Sequence, residues 1–200
     1  MLVGVNGPLT DRISAKLSTS KKRRDGYADN ITTGQELQDE DNFSIRGQMQ
    51  FDATDNLSIL LGANYSEDNQ AGNCRHLGNV DNSPAGGLWM TGMSDKYLSD
   101  VRNCAGIVKL NQDREVHGYM ARVEWDMGWA NFVSISAYMD ADYNWIDDLT
   151  GVEPPSVIPT VVETVVDFAN EDSDQFTQEF RLSGNMERFD WVAGLYYLEK

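Results

Sequence analysis

Apolar and polar residues alternate along this chain in segment after segment, and this two-residue period constrains the fold more than any other feature. In residues 43–52, Phe, Ile, Gly, Met and Phe occupy one parity, and Ser, Arg, Gln, Gln and Asp occupy the other. Residues 12–20, 57–66, 115–126, 130–140 and 175–183 repeat the pattern. Such alternation gives a β-strand one apolar and one polar face. With the opening segment and the aromatic-rich run from Trp191, the sequence predicts eight strands.

The connections between these segments alternate in length. Short turns rich in Gly, Asn, Asp and Pro are predicted at 6–11, 52–56, 126–129 and 184–190. Long polar loops are predicted near 21–42, 67–113 and 141–172. Ten residues at about 3.3 Å each, tilted by about 40°, span roughly 25 Å of hydrocarbon. We therefore predict an all-β, antiparallel up-and-down transmembrane β-barrel wall with its long loops at one end.

The parity of each segment assigns its residues to a face. In residues 130–140 the apolar parity contains Val133, Ile135, Ala137 and Met139, opposite Ser134 and Ser136. In residues 175–183 Gln178 shares the parity of Phe176 and Phe180, so it falls on the face expected to meet lipid.

Composition excludes several classes of function. The chain has 16 Lys and Arg against 32 Asp and Glu, a net charge of −16, which repels the phosphates of nucleic acid. No run approaches the roughly 18 apolar residues of a membrane-spanning helix. With two histidines and no recognisable nucleophile motif, we predict neither an enzyme nor a cofactor.

Several quoted stretches carry a family resemblance. "GPLTDRISAKLSTSKKRRDGY", "TTGQELQDEDNFSIRGQMQFDATDNLSILL", "VEWDMGWANFVSISAY" and "DSDQFTQEFRLSG" followed by "RFDWVAGLYY" together resemble the barrel of bacterial TonB-dependent outer-membrane receptors. The resemblance covers nearly every predicted strand and short turn, and it lapses in the loops at 67–113 and 141–172.

The resemblance implies a barrel of about 22 strands in the outer membrane, enclosing a plug domain. It also implies energy-coupled uptake through TonB of a small ligand such as a ferric siderophore, cobalamin or carbohydrate. The sequence contains no recognisable plug, TonB box or signal peptide, so we expect it to be about eight consecutive strands of a longer receptor. Its expected partners are outer-membrane lipid, the plug, TonB and the ligand.

Two other classes of protein fit the strand pattern. One is a complete eight-stranded outer-membrane barrel with a structural or adhesive role. The other is a secreted β-sandwich that binds carbohydrate. Extraction of membranes with carbonate separates the sandwich from the barrels, because a barrel stays in the membrane.

Candidate site residues lie in the loops and on the polar parity. Cys74 and Cys104 share a predicted extracellular loop and suit a disulfide; free thiols, or a metal site with His76 and His117, are the alternatives. Trp89, Tyr97 and Trp145 are predicted loop aromatics that either stack on a ligand ring or pack within their own loops.

The polar parities also make specific predictions. Arg46, Arg122, Glu179 and Arg181 are expected to face the lumen, where they pair with the plug or with one another rather than with substrate. Residues 140–151 begin like a calcium-binding loop, but Trp145 and Gly151 occupy the positions that need Gly and Glu. An acidic solvated loop is the simpler interpretation there.

Overall fold

The computed structural model describes residues 1–75, 100–149 and 166–200. Within these ranges the regular structure is entirely β-strand. The strands are β1 Leu2–Thr10, β2 Ile13–Arg24, β3 Ala28–Asn30, β4 Gln35–Leu37, β5 Glu40–Thr54, β6 Leu57–Gln70, β7 Asn103–Cys104, β8 Asn111–Asp126, β9 Asn131–Asp148, β10 Val166–Met186 and β11 Phe189–Glu199.

Eight of these strands form one large sheet in the order β1-β2-β5-β6-β8-β9-β10-β11. Every neighbouring pair is antiparallel, so the chain runs up and down across the sheet. The prediction of an all-β, antiparallel up-and-down sheet of eight strands is therefore confirmed. Among the described residues the sheet is open, because β1 pairs only with β2 and β11 only with β10.

The short turns all lie at one end of the large sheet, which we call the turn end. The first of them lies at 11–12 rather than at the predicted 6–11, because residues 6–10 pair with β2 as part of β1, an edge strand that tolerates Pro8. Three of them contain only two residues between strands: 11–12, 55–56 and 187–188. The fourth, between β8 and β9, needs a glycine because Gly128 has a φ of +80°. The Gly128 N–H donates to Asp126 Oδ1 at 2.8 Å and fixes this turn. The opposite end, which carries the longer connections, is the loop end.

The predicted long loops are too long, because six strands extend into them. β2 continues to Arg24, β6 to Gln70 and β9 to Asp148, while β5, β8 and β10 begin at Glu40, Asn111 and Val166. These extensions carry polar residues on both parities, so the alternation that marks a half-buried strand is missing. Their backbone groups nevertheless pair across the sheet as well as those of the central segments.

The strand register defines two faces, because cross-strand partners lie on the same side of a sheet. The apolar face contains rows that cross the sheet. One runs through Ala15, Met49, Leu61, Ala121, Ser136, Gln178 and Tyr197, and the next through Ile13, Phe51, Ile59, Val123, Ser134, Phe180 and Leu195. The polar face contains Ser18, Arg46 and Asn64, which pair in the same way.

The predicted face of β9 is wrong. Ile135 lies opposite Arg122 on one side and Glu179 on the other, and Val133 lies opposite Arg181. The apolar parity of β9 therefore belongs to the polar face, and Ser134 and Ser136 lie on the apolar face. Parity within one strand cannot assign a face when the strand's polar residues are small serines; only the register with its neighbours does so.

Hydrogen bonds explain how the apolar face holds polar groups. Ser136 Oγ donates to Gln178 Oε1 at 2.5 Å, and Gln178 Nε2 donates to Ser134 Oγ at 3.0 Å and to the Glu179 carbonyl at 3.1 Å. The Gln178 amide is thus satisfied within the protein. The residue that breaks the sequence pattern is compatible with an apolar solvent.

A second, three-stranded sheet lies at the loop end in the order β4-β3-β7, and we call it the loop-end sheet. Its core consists of buried Ala28, Leu37, Cys104 and Leu110. The Gln35 side chain holds the backbone of Leu110 in both directions: Nε2 donates to the carbonyl at 2.6 Å, and the N–H donates to Oε1 at 2.8 Å. This clamp joins the first residue of β4 to the residue that precedes β8.

Candidate functional site

The loop end is held together by a disulfide. Cys74 and Cys104 are bonded, with their Cα atoms 5.7 Å apart and Cys104 buried in β7. The bond joins the segment after β6 to the loop-end sheet. No group of His, Cys, Asp and Glu within the described ranges has the geometry of a metal site. His117 lies on the apolar face of β8, where its Nε2 is 3.1 Å from Glu115 Oε1, and His76 lies outside the described residues.

Two consecutive carboxylates at the tip of β9 hold the loops on either side of the disulfide. Asp147 Oδ2 accepts hydrogen bonds from Arg75 Nε at 3.0 Å and Nη2 at 2.5 Å, and this pairing raises the pKa of the Arg75 guanidinium. Asp148 is buried and accepts the Ile107 N–H at 3.2 Å. Gly106 lies close beside it: a Cβ there would be 2.5 Å from Asp148 Oδ2, so a larger residue would displace the carboxylate.

A hollow of about 230 Å³ lies next to these contacts. It adjoins a second hollow, of about 440 Å³, on the polar face. Gln112 and Tyr143 line both hollows, so the two form one groove at the loop end. The groove is lined by Asp68, Gly72, Asn73, Arg75, Gln112, Arg114, Tyr143, Trp145, Asp147, Asp167, Glu171 and Ser173, among others.

Aromatic rings and amide groups dominate the centre of the groove. The Tyr143 and Trp145 rings lie 4.7 Å apart at an angle of 50°. Gln112 Nε2 donates to the Tyr143 hydroxyl at 2.5 Å, which fixes the ring. The structure thus places Trp145 on β9, opposite Gln112 and Ala169, and its assignment to a loop is corrected.

The charges of the groove favour an uncharged ligand. Its two guanidinium groups are already paired, Arg75 with Asp147 and Arg114 with Asp68 at 2.9 Å. Asp167 and Glu171 add further negative charge. An anionic ligand would meet a negative surface with no uncommitted cation, whereas hydroxyl groups could bond to the carboxylates and amides and a ring could lie on Trp145.

The four residues predicted to face the lumen share the polar face. Arg122 and Glu179 both lie opposite Ile135. The register between the strands places Arg46 and Arg181 on the same side of the sheet. Arg122 forms an ion pair with Glu124, and Arg181 lies 3.7 Å from Glu179. The expectation that these four residues pair with the plug or with one another stays a prediction. Arg46 has no ion pair within the described ranges.

The remaining sequence candidates do not join this groove. Trp89 and Tyr97 lie outside the described residues. Asp140, Asp142 and Asn144, the start of the possible calcium loop, lie on the straight strand β9 and extend along its apolar face. Side chains spaced along a strand do not converge on one ion as those of a folded loop do.

Sequence reasoning missed an acidic row at the loop end of the apolar face. Glu67, Glu115, Asp142 and Asp172 lie directly opposite one another on β6, β8, β9 and β10. A hydrogen bond with Asp142 raises the pKa of Asp172, which lies beyond the apolar rows. Each carboxylate occupies an ordinary position in its own strand, so only the register reveals the row.

Comparison with known proteins leaves the family open. No protein-family model matches the chain, and no curated protein matches it. The described residues contain no helix long and apolar enough to cross a membrane.

Proposed function

We propose that this chain forms part of the wall of a TonB-dependent receptor in the bacterial outer membrane, which takes up a small ligand by energy-coupled transport. The observation that carries the proposal is the large sheet itself. Its eight antiparallel strands combine an apolar face, a polar face and one end made only of short turns. This combination is typical of transmembrane barrels.

The exposed apolar face supports a lipid environment. Leu57, Ile59, Leu61, Ala63 and Tyr65 follow one another on the apolar face of β6, and each belongs to a row that crosses the sheet. From Leu57 to Tyr65 the strand covers about 26 Å, which at a tilt of about 40° corresponds to about 20 Å of membrane thickness, most of an apolar band of about 25 Å. Lipid would cover this face, while the plug and water would cover the polar face.

The open edges support a larger barrel. In lipid an unpaired backbone N–H or C=O group costs several kcal/mol, so β1 and β11 both need a neighbouring strand. Additional strands of the same wall would provide it, and a barrel of about 22 strands leaves room for a plug.

The groove at the loop end is the proposed point of first contact with ligand. Its paired cations and its Trp145 and Tyr143 rings suit a neutral, hydroxyl-rich molecule such as an oligosaccharide better than an anionic ferric siderophore. Cobalamin, a third ligand type of the resembled family, is expected to suit the groove less well than an oligosaccharide and better than a ferric siderophore.

The test is uptake by cells that carry the full-length gene product. An oligosaccharide, cobalamin and a ferric siderophore are each offered as labelled ligands, with and without functional TonB. We expect TonB-dependent uptake of one of them, reduced several-fold by Trp145→Ala and unchanged by the control Trp129→Ala at the exposed turn end. Carbonate extraction of the protein from membranes, or uptake that ignores TonB, would overturn the proposal.

A second candidate is a complete eight-stranded barrel with a structural or adhesive role, favoured by the strand count of the large sheet. Such a barrel requires β1 to pair with β11. Cysteines at Val5 on β1 and at Leu195 or Tyr197 on β11, all on the apolar face, would test the pairing in the membrane. A crosslink formed within one chain supports the small barrel, and its absence together with TonB-dependent uptake supports the receptor.

A further inference from the structure

The loop-end extension of β2 carries a run of four basic residues, Lys21 to Arg24, whose side chains alternate between the two faces. Lys21 lies opposite Phe43 and Arg23 opposite Asp41, on the apolar face. Lys22 and Arg24 lie opposite Asn42 and Glu40, on the polar face. A sequence that reads as one basic run is therefore two separate pairs of cations.

Lys21 and Arg23, which we call the outward pair, lie at the loop-end border of the apolar face. Along β2 they follow Ile13, Ala15, Leu17 and Thr19, which continue the apolar rows toward the turn end. The neighbouring side chain on β5 is Phe43, whose ring centre lies 6.3 Å from that of Tyr65. Lys21 and Arg23 thus carry positive charge directly above a surface suited to hydrocarbon chains.

Acidic residues neutralise only part of this charge. Lys21 pairs with Asp41, Lys22 Nζ lies 2.6 Å from Glu40, and Arg24 Nε lies 3.8 Å from the same carboxylate. Within the part of the chain that the structure describes, no carboxylate lies at ion-pair distance from Arg23. The outward pair therefore retains an unpaired guanidinium in a protein whose net charge is −16.

The same level of the apolar face carries negative charge on β6, β8, β9 and β10. Lys21 and Phe43 continue in register into Glu67, and from there into the rest of the acidic row on β8, β9 and β10. An anionic group at this level is repelled over most of the sheet and attracted only at β2. The charge pattern thus selects one place along the wall.

We propose that Lys21 and Arg23 bind the anionic headgroup of a lipid in the outer leaflet, with its acyl chains against the apolar rows below. The inference rests on the proposed membrane location of the large sheet. A lipid fits better than a free anion, because a free phosphate gains nothing from the apolar side chains beneath the cations. Basic residues at a membrane surface strengthen binding to anionic lipid by about fivefold each.

The experiment uses the full-length protein in a neutral detergent. Phosphatidylglycerol is titrated in and bound lipid is counted by native mass spectrometry, with phosphatidylcholine of the same chain length as reference. We expect preference for phosphatidylglycerol, reduced about 20-fold by the double variant Lys21→Gln/Arg23→Gln. The matched control Lys22→Gln/Arg24→Gln removes the same charge from the polar face and should change the preference less than twofold.

Three results would overturn the inference. Equal losses in both double variants would mean that net charge alone attracts the lipid. Full competition by inorganic phosphate would mean that the site is an anion site without a lipid component. Binding that is lost on chelation of divalent cations would move the contact to the acidic row. Carbonate extraction of the same variants tests the membrane location separately, so a membrane protein without lipid preference refutes only this inference.

Discussion

In the middle of the large sheet Met49, Leu61 and Phe180 are 43%, 44% and 44% exposed, whereas in the loop-end sheet Ala28, Leu37 and Cys104 are 2%, 0% and 2% exposed. The loop-end sheet buries its own apolar side chains and is closed by a disulfide. The large sheet presents its apolar side chains outward and ends in open edges. The loop end is therefore stabilised by internal contacts, and the large sheet depends on what surrounds it.

The largest effect expected from this contrast is loss of the disulfide. The double variant Cys74→Ser/Cys104→Ser should lower the stability of the loop end by roughly 3–4 kcal/mol, since the bond closes a 30-residue separation. Limited proteolysis should then cut near the loop-end sheet, while strand content measured by circular dichroism stays the same. Cooperative loss of both sheets would show that the two regions are one folding unit.

A charge on the apolar face should be nearly as costly, but only in lipid. Leu61→Arg is expected to lower the free energy of unfolding from bilayers by about 2–4 kcal/mol. The control is Leu60→Arg, one residue away on the polar face, for which we expect a change below about 1 kcal/mol. Chemical denaturation in lipid vesicles measures both. Equal penalties would mean that lipid does not cover the apolar face.

The Ser134, Ser136 and Gln178 cluster provides a second test of whether lipid or water contacts the apolar face. Ser136→Ala removes the donor to Gln178 Oε1 and should cost about 0.6–1.7 kcal/mol in the bilayer. Replacing all three residues by Ala, Ala and Leu should be near neutral or stabilising, because no polar group is then left without a partner. The same denaturation experiment decides. A triple variant less stable than Ser136→Ala would argue that water, not lipid, contacts this face.

The smallest effect concerns pH at the acidic row. The pKa of Asp172 is raised in the folded protein by its hydrogen bond with Asp142, so folding favours the protonated form. Stability should increase as pH falls through the folded pKa toward the ordinary value, and this gain is lost at higher pH. Asp172→Asn should remove the dependence, and Glu171→Gln, on the opposite face, should not. Thermal unfolding between pH 3 and 7 measures it; identical curves for the two variants would refute the assignment.

Sequence alone predicts the central strands well because their alternation reports a real difference between two environments. Residues 43–52 and 57–66 fall within β5 and β6 with the expected faces. The strand extensions at the loop end carry no such signal, since polar and apolar residues are mixed on both of their faces. The sequence pattern therefore predicts a loop at Trp145, whereas the residue pairs within β9.

Properties that depend on register are the ones the sequence does not reveal. The face of Val133 and Ile135 follows from their partners on β8 and β10 rather than from β9 itself. The pairing of Arg75 with Asp147 joins residues far apart in the chain, so no local sequence pattern predicts it. The sequence identifies the two cysteines as candidates for a disulfide, but only the fold shows which segments the bond joins.

The two carboxylates at the tip of β9 have a mechanical consequence. Neighbouring residues on a strand point to opposite sides, so Arg75 reaches Asp147 from one side of β9 and the Ile107 amide reaches Asp148 from the other. The disulfide joins the segment that contains Arg75 to the segment that contains Ile107. The tip of β9 is thus held from both sides. Any displacement of the loop end by a ligand must move β9 as well or break both contacts.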